Sequence, residues 1–333
     1  MKMPGWGWIA FVVGLGALIA LTAWQGFGAV SRGLSNVGWR VFWLVPLFSF
    51  PLMMATWAWG VLFAPEERPA WTRLAFARWI GLSVNQLLPV ARVGGEVARA
   101  RLVSEPERRS AAVVTSILAD KTAQVASVGL FALMGLFALS WRASKTEFVV
   151  VSLVGIVAVA GFGIAFFVAQ VRGGVHAAGR WISVLLPEST RESWLDTVGD
   201  TQDRLSRVYA TRAFATSVVA NVLFRVGIAV EVWLSLWFLG VRVDVLDAVI
   251  IEGLNQMLRA AVFIVPGALG AQEGGFIALG AVVGVPAPAA IAVSLCMRAR
   301  ELLVGIPALL AWQIREGMQG ATGTATPRPD EFR

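Results

Sequence analysis

Charge is scarce in this 333-residue chain: Asp, Glu, Lys and Arg together make up 15% of it, against 57% hydrophobic residues. With a mean hydropathy of +0.71, this excludes an ordinary soluble domain. Cysteine is nearly missing. The single Cys296 excludes an internal disulfide, and with the single His176 it leaves no Cys/His metal cluster, so neither metal nor cofactor is expected. No Gly-Lys dipeptide occurs, which removes a Walker A loop and with it an internal ATP site. No Gly-x-Ser-x-Gly occurs either, which removes a serine nucleophile elbow. Lysine contributes only 3 of the 28 basic residues, so the net charge of +7 is carried by arginine.

What remains is a polytopic membrane protein. A hydrocarbon core of ~30 Å needs about 20 apolar residues per helix, and this places six full spans near 7–25, 40–63, 111–140, 147–169, 213–240 and 288–312. The first has the length of a signal peptide's apolar core but just Lys2 before it and no small-residue cleavage site, and reads as a retained span. Eight arginines fall between Ala64 and Ser110 and six between Gln170 and Arg212, so both segments are expected on the cytoplasmic side. Both termini then lie in the cytoplasm. Basic residues confined to short loops beside spans fit topology rather than nucleic-acid binding. The tail 321–333 reads as disordered.

Two further apolar stretches, 74–97 and 248–285, are broken by proline and glycine. The first contains "NQLLPVARVGGEVARAR", in which Pro89 precedes Glu96 by seven positions, with Gly94 and Gly95 just before the acid. The second contains "PGALGAQEGG", in which Pro266 precedes Glu273 by seven, with Gly270 and Gln272 between them. One constant shift in numbering carries Pro89 to Pro266 and Glu96 to Glu273, and the same shift carries 40–63 and 111–140 onto the later spans. The first unit, 40–140, and the second, 213–312, would then have opposite topology, joined by an amphipathic cytoplasmic connector at 170–212. The expected fold is all-α: one membrane domain over 1–320, with two re-entrant broken helices in an inverted repeat. Coincidence of a short pattern in a glycine-rich chain is the alternative.

Charges at mid-span depth point to the same places. Asp120 and Lys121 lie about ten residues into the third span and point about 100° apart, so their partners lie elsewhere, while Gln124 extends the face of Asp120. Arg298 and Glu301 are spaced to pair locally, with Arg300 between them. Glu252, Asn255, Gln256 and Arg259 form another polar stripe, and Asn221 with Arg225 a third. Such residues either bind substrate or tie helices together by salt bridges. The candidate substrate-binding set is Asn85, Pro89, Arg92, Gly94, Gly95, Glu96, Arg99, Asp120, Lys121, Pro266, Gly270, Gln272, Glu273, Arg298 and Glu301. Arg92, Arg99 and Arg101 are suited to grip phosphate beside a helix start. Glu96 and Glu273 could balance those arginines or hold a cationic group.

"LPVARVGGEVARARLV", the Asp120-Lys121 pair and "GALGAQEGGFIALGAVVGVP" with "SLCMRARELLVGIPALLAWQ" resemble the flippase-like membrane domain of bacterial lysylphosphatidylglycerol synthases. Stand-alone relatives share it, and the nearest likeness is to hopanoid-biosynthesis-associated membrane proteins. The resemblance spans the whole chain through short motifs whose order and spacing are specific. It implies a helical bundle with re-entrant elements that moves or handles a lipid in the bacterial inner membrane. Synthase activity is not carried over, because only about twenty residues follow the last span. A non-enzymatic lipid transporter is expected, its partner a membrane lipid. The alternatives are an accessory to lipid-synthesis enzymes, or an enzyme using Glu96, Asp120 or Glu273 as acid or base. No oligomeric state is read from the sequence.

Overall fold

A computed structural model describes residues 35, 37–88, 94–104, 110–142, 146–174, 188–261 and 270–321. Every regular element among them is helical. A 3-10 turn at Gly38–Trp43 leads into α1, Leu44–Gly60. Then come α2, Trp71–Leu87, and α3, Gly94–Val103. The long α4, Ser110–Arg142, is followed by α5, Thr146–Ala169, and α6, Glu188–Tyr209. The remainder is α7, Arg212–Phe238; α8, Val245–Ala261; α9, Ala271–Val282; and α10, Ala287–Ala321. The expected span at 7–25, the expected tail and the proline-bearing breaks at 89–93 and 262–269 lie outside the described residues.

Three helical stretches among the described residues are long and apolar enough to cross a membrane: Gly38–Gly60, Ala111–Arg142 and Arg212–Phe238. At 1.5 Å per residue the 33 residues of α4 extend about 50 Å, more than a bilayer core. The expected span at 147–169 coincides with α5. That at 288–312 lies within α10, where Arg298, Arg300 and Glu301 interrupt the apolar run. The connector contains α6, a polar helix with a strongly amphipathic pattern, and it lies against α4.

Helix packing follows a reciprocal scheme. α1 packs on α7; α2 packs on α3 and α10; α8 packs on α9 and α4. Small residues let these helices approach closely, as in other membrane bundles. A Cβ added at Gly253 of α8 would stand 2.9 Å from the Phe131 carbonyl oxygen on α4, and one at Gly135 of α4 would stand 3.3 Å from that of Val249. On the other contact, a Cβ at Gly227 of α7 would meet Pro51 Cγ of α1 at 2.7 Å.

Of the apolar clusters among the described residues, the two largest lie toward opposite ends of the bundle. One is built on Trp59, Leu74, Ile80, Val84, Leu102 and Val113, the other on Leu44, Leu236, Ile251, Phe276, Ala290 and Val293. At the first end Arg73 Nε donates to the Leu102 carbonyl at 2.7 Å, so α2 and α3 begin and finish together. At the opposite end Arg142 pairs with Asp244 and Asp247, both at 2.9 Å, where α8 begins. Val283, just beyond α9, packs there with Leu139 and Ile250.

Candidate functional site

α3 starts at Gly94-Gly95 because the chain must pass tightly against α2. A Cβ on Gly95 would stand 2.6 Å from Asn85 Nδ2. Instead, the Gly95 amide donates to Asn85 Oδ1 at 2.9 Å, satisfying one of the free N–H groups of a helix start. Asn85 Nδ2 donates in turn to Glu96 Oε1 at 3.2 Å. Glu96 is also held by Lys121 Nζ at 2.5 Å and by Arg99 Nη1 at 2.7 Å.

Behind Glu96 sits a buried carboxylate with a full set of donors. Asp120 Oδ2 accepts from Arg78 Nη1 at 2.7 Å, Arg99 Nη2 at 2.7 Å and Gln124 Nε2 at 2.8 Å, and Oδ1 accepts from Arg78 Nη2 at 3.1 Å. Arg78 also donates twice to the Ala55 carbonyl, which binds α1 into the cluster. The Arg99 guanidinium lies 4.0 Å over the Trp59 ring. Desolvating such charges is tolerable only with geometry of this quality. Asp120 and Lys121 therefore do have separate partners, as their angular separation requires.

The second motif is built differently at the same register. Gly270 has φ +77°, a conformation that glycine adopts without Cβ strain, and its amide donates to Glu273 Oε2 at 2.7 Å at the start of α9. Glu273 Oε1 accepts from Ser294 Oγ at 3.0 Å and lies 3.4 Å from Arg298 Nε. Gln272 Nε2 donates to the same Ser294 hydroxyl at 3.2 Å. Arg298 also pairs with Glu301 at 3.2 Å, and Arg259 lies 3.7 Å from the other Glu301 oxygen.

Between the two motifs lies a cavity of about 320 Å³. The first half contributes Asn85, Gln86, Lys121 and Gln124; the second contributes Arg225, Gln256, Arg259, Arg300 and Glu301, with Phe48, Phe224 and Ile228 among the apolar walls. Of the expected site residues, Asn85, Lys121 and Glu301 line this space. Glu96 and Arg298 touch lining residues. Asp120, Arg99, Gln272 and Glu273 are buried behind it. Pro89, Arg92 and Pro266 lie outside the described residues. Arg101 is 59% exposed and reaches Glu316 at 3.3 Å, away from the cavity. The phosphate grip expected of Arg99 and Arg101 is thus not where the cations gather: Arg99 is committed to Asp120 and Glu96, and Arg101 faces outward.

The cavity's arginines come from α7, α8 and α10. Arg225 Nε donates to Ser127 Oγ at 3.0 Å and its Nη2 to the Gln124 carbonyl at 3.1 Å. Arg300 lies 3.1 Å from Glu231, with its guanidinium 4.3 Å over the Phe48 ring. The sequence signal for Arg225 and Arg259 was their place in mid-helix polar stripes, and Glu231 carried none. Among the described residues no group of three His, Cys, Asp or Glu side chains could hold a metal ion.

A family model for the lysylphosphatidylglycerol synthase transmembrane region matches residues 7–308. The chain belongs to this family. The lysylphosphatidylglycerol synthase transmembrane region is a membrane domain associated with lipid modification, and with the apolar helices above it makes this chain a multi-pass membrane protein. No curated protein and no solved structure matches the chain.

Proposed function

We propose that this member of the lysylphosphatidylglycerol synthase transmembrane-region family moves lipid between the leaflets of a bacterial inner membrane, without an enzymatic step of its own. The observation that carries the reading is the polar cavity between the two motifs, lined from both halves of the chain. Polar groups at membrane depth are costly unless they serve a substrate path or a buried pairing.

The proposed architecture is an inverted repeat of 40–140 and 213–312. Helix starts support it: the shift that carries Pro89 to Pro266 also carries the start of α3 at Gly94 to that of α9 at Ala271, and the start of α4 at Ser110 to that of α10 at Ala287. Core positions support it as well, since Trp59, Leu74 and Val113 in one core correspond under the same shift to Leu236, Ile251 and Ala290 in the other. The hairpin α2–α3 opens toward one end of the bundle and α8–α9 toward the other, as two re-entrant elements of opposite topology would. In this reading the arginine-rich end, with both termini, is cytoplasmic.

Translocation of fluorescent lipid in reconstituted vesicles tests the proposal, with wild type beside Glu96→Gln and Glu273→Gln. Wild type should exceed empty vesicles, and each variant should fall to the empty-vesicle rate while still eluting as folded protein. Equal rates throughout would remove the transport reading and favour an accessory role. A hopanoid belongs in the assay as a second cargo beside phospholipid, on the strength of the sequence resemblance alone.

A further inference from the structure

The cavity is lopsided in charge. Lys121, Arg225, Arg259 and Arg300 line it against one carboxylate, Glu301. The acids that balance them stand behind the wall: Glu231 and Glu273 are 0% exposed and Glu252 is 1%. Around the cavity and the wall behind it, seven cations among the described residues (Arg78, Arg99, Lys121, Arg225, Arg259, Arg298 and Arg300) meet six carboxylates (Glu96, Asp120, Glu231, Glu252, Glu273 and Glu301). One positive charge is left over among the described residues, and four of the cations, Lys121, Arg225, Arg259 and Arg300, line the lumen. Donors are left over too. Arg259 Nε and Arg300 Nη1 are buried without a hydrogen-bond partner among the described residues, and buried donors are ordinarily satisfied.

We infer that this cavity takes the phosphate of an anionic lipid headgroup. A phosphodiester carries one negative charge, which matches the surplus, and its oxygens accept from guanidinium forks in the way the spare donors require. Asn85, Gln86 and Gln256 offer neutral amides for a headgroup's hydroxyls. A volume of about 320 Å³ is at the low end for ligand cavities, enough for a headgroup while the acyl chains stay outside. A headgroup of net positive charge meets the same wall unfavourably. The inference rests on the lipid-handling reading and narrows its substrate class.

The test is binding to the purified full-length chain in neutral detergent, by titration with dihexanoyl phosphatidylglycerol, dihexanoyl phosphatidylcholine, lysylphosphatidylglycerol and inorganic phosphate. Phosphatidylglycerol should bind about tenfold or more tightly than the other two lipids, since one unpaired charge contact is worth about that factor. Gln86→Glu, which adds a carboxylate to the wall without breaking any ion pair described above, should weaken phosphatidylglycerol about tenfold. Arg259→Gln, which removes a guanidinium from the wall, should weaken phosphatidylglycerol by a similar factor, and Arg259→Lys should retain most of the affinity. Equal affinity for phosphatidylglycerol and phosphatidylcholine, or indifference to Gln86→Glu, overturns the inference. So does displacement by inorganic phosphate at equal concentration, which would assign the cavity to a free ion. Vesicles that translocate both lipids equally would sink the anion preference and leave lipid movement standing. Selective binding with no translocation would do the reverse.

Discussion

The ammonium of Lys121 lies 2.5 Å from Glu96 Oε1. At the corresponding place in the second motif, Arg298 reaches Glu273 at 3.4 Å, so each motif glutamate is held by a cation at the same sequence separation further along the chain. The two pairs differ in access. The Lys121 side chain is 37% exposed to the cavity side, whereas Glu273 is wholly buried.

That difference predicts unequal stability effects. Glu96→Gln leaves Lys121 free to turn toward the cavity and leaves buried Arg99 its Asp120 partner, and should cost about 1–2 kcal/mol in thermal unfolding. Glu273→Gln weakens three contacts of a wholly buried carboxylate, those to the Gly270 amide, Ser294 and Arg298, and should cost about 2–4 kcal/mol. Equal melting shifts for the two would show that exposure does not govern the pair.

Asp120→Asn should be the most destabilising single charge change, by about 3–5 kcal/mol, because it leaves Arg78 and Arg99 buried with their shared acceptor neutralised. Arg101→Ala, in an exposed pair with Glu316, should fall within about 0.5 kcal/mol of wild type. Detergent-solubilised thermal melts compare the two directly.

Gly95→Ala should loosen the α2–α3 contact by about 1–3 kcal/mol, since the new methyl meets Asn85 and the main chain of α2. Gly274→Ala, in the first turn of α9, meets nothing within 4 Å and should gain up to about 1 kcal/mol of helix propensity. A loss at position 274 as large as at 95 would contradict the described packing.

Cysteine labelling reads the topology. In a Cys296→Ala background, Ser104→Cys and Arg242→Cys should react with a membrane-impermeant reagent from opposite faces of sealed vesicles. Both residues are exposed, whereas Cys296 is buried. Reaction from the same face would end the inverted-repeat proposal.

Much of this arrangement was legible in the chain, and the illegible parts have a common cause. The repeated spacing of proline, glycine and glutamate marked both interrupted stretches in which a new helix starts, because backbone constraints are local. The divergence of Asp120 and Lys121 followed from helix geometry alone, and so did the Arg298–Glu301 pair. Arg99 and Arg101, two positions apart, looked equivalent as phosphate ligands. Their helix faces differ, so one is sealed beneath Trp59 and the other points outward. Arg300 could not be ranked above its neighbour Arg298, since its place at the cavity wall depends on Phe48 and Glu231, far away in sequence. Tertiary partners decide such residues, and periodicity does not carry them.

The close crossing of α4 and α8 rests on Gly135 and Gly253, each turned toward main-chain atoms of the other helix. The cavity-lining residues of α4, from Lys121 to Val128, lie on the N-terminal side of that crossing. Joinery and upholstery are therefore separate: the wall of the cavity can be rewritten at a few lining side chains of α4 while the main-chain lap joint between α4 and α8 stays untouched.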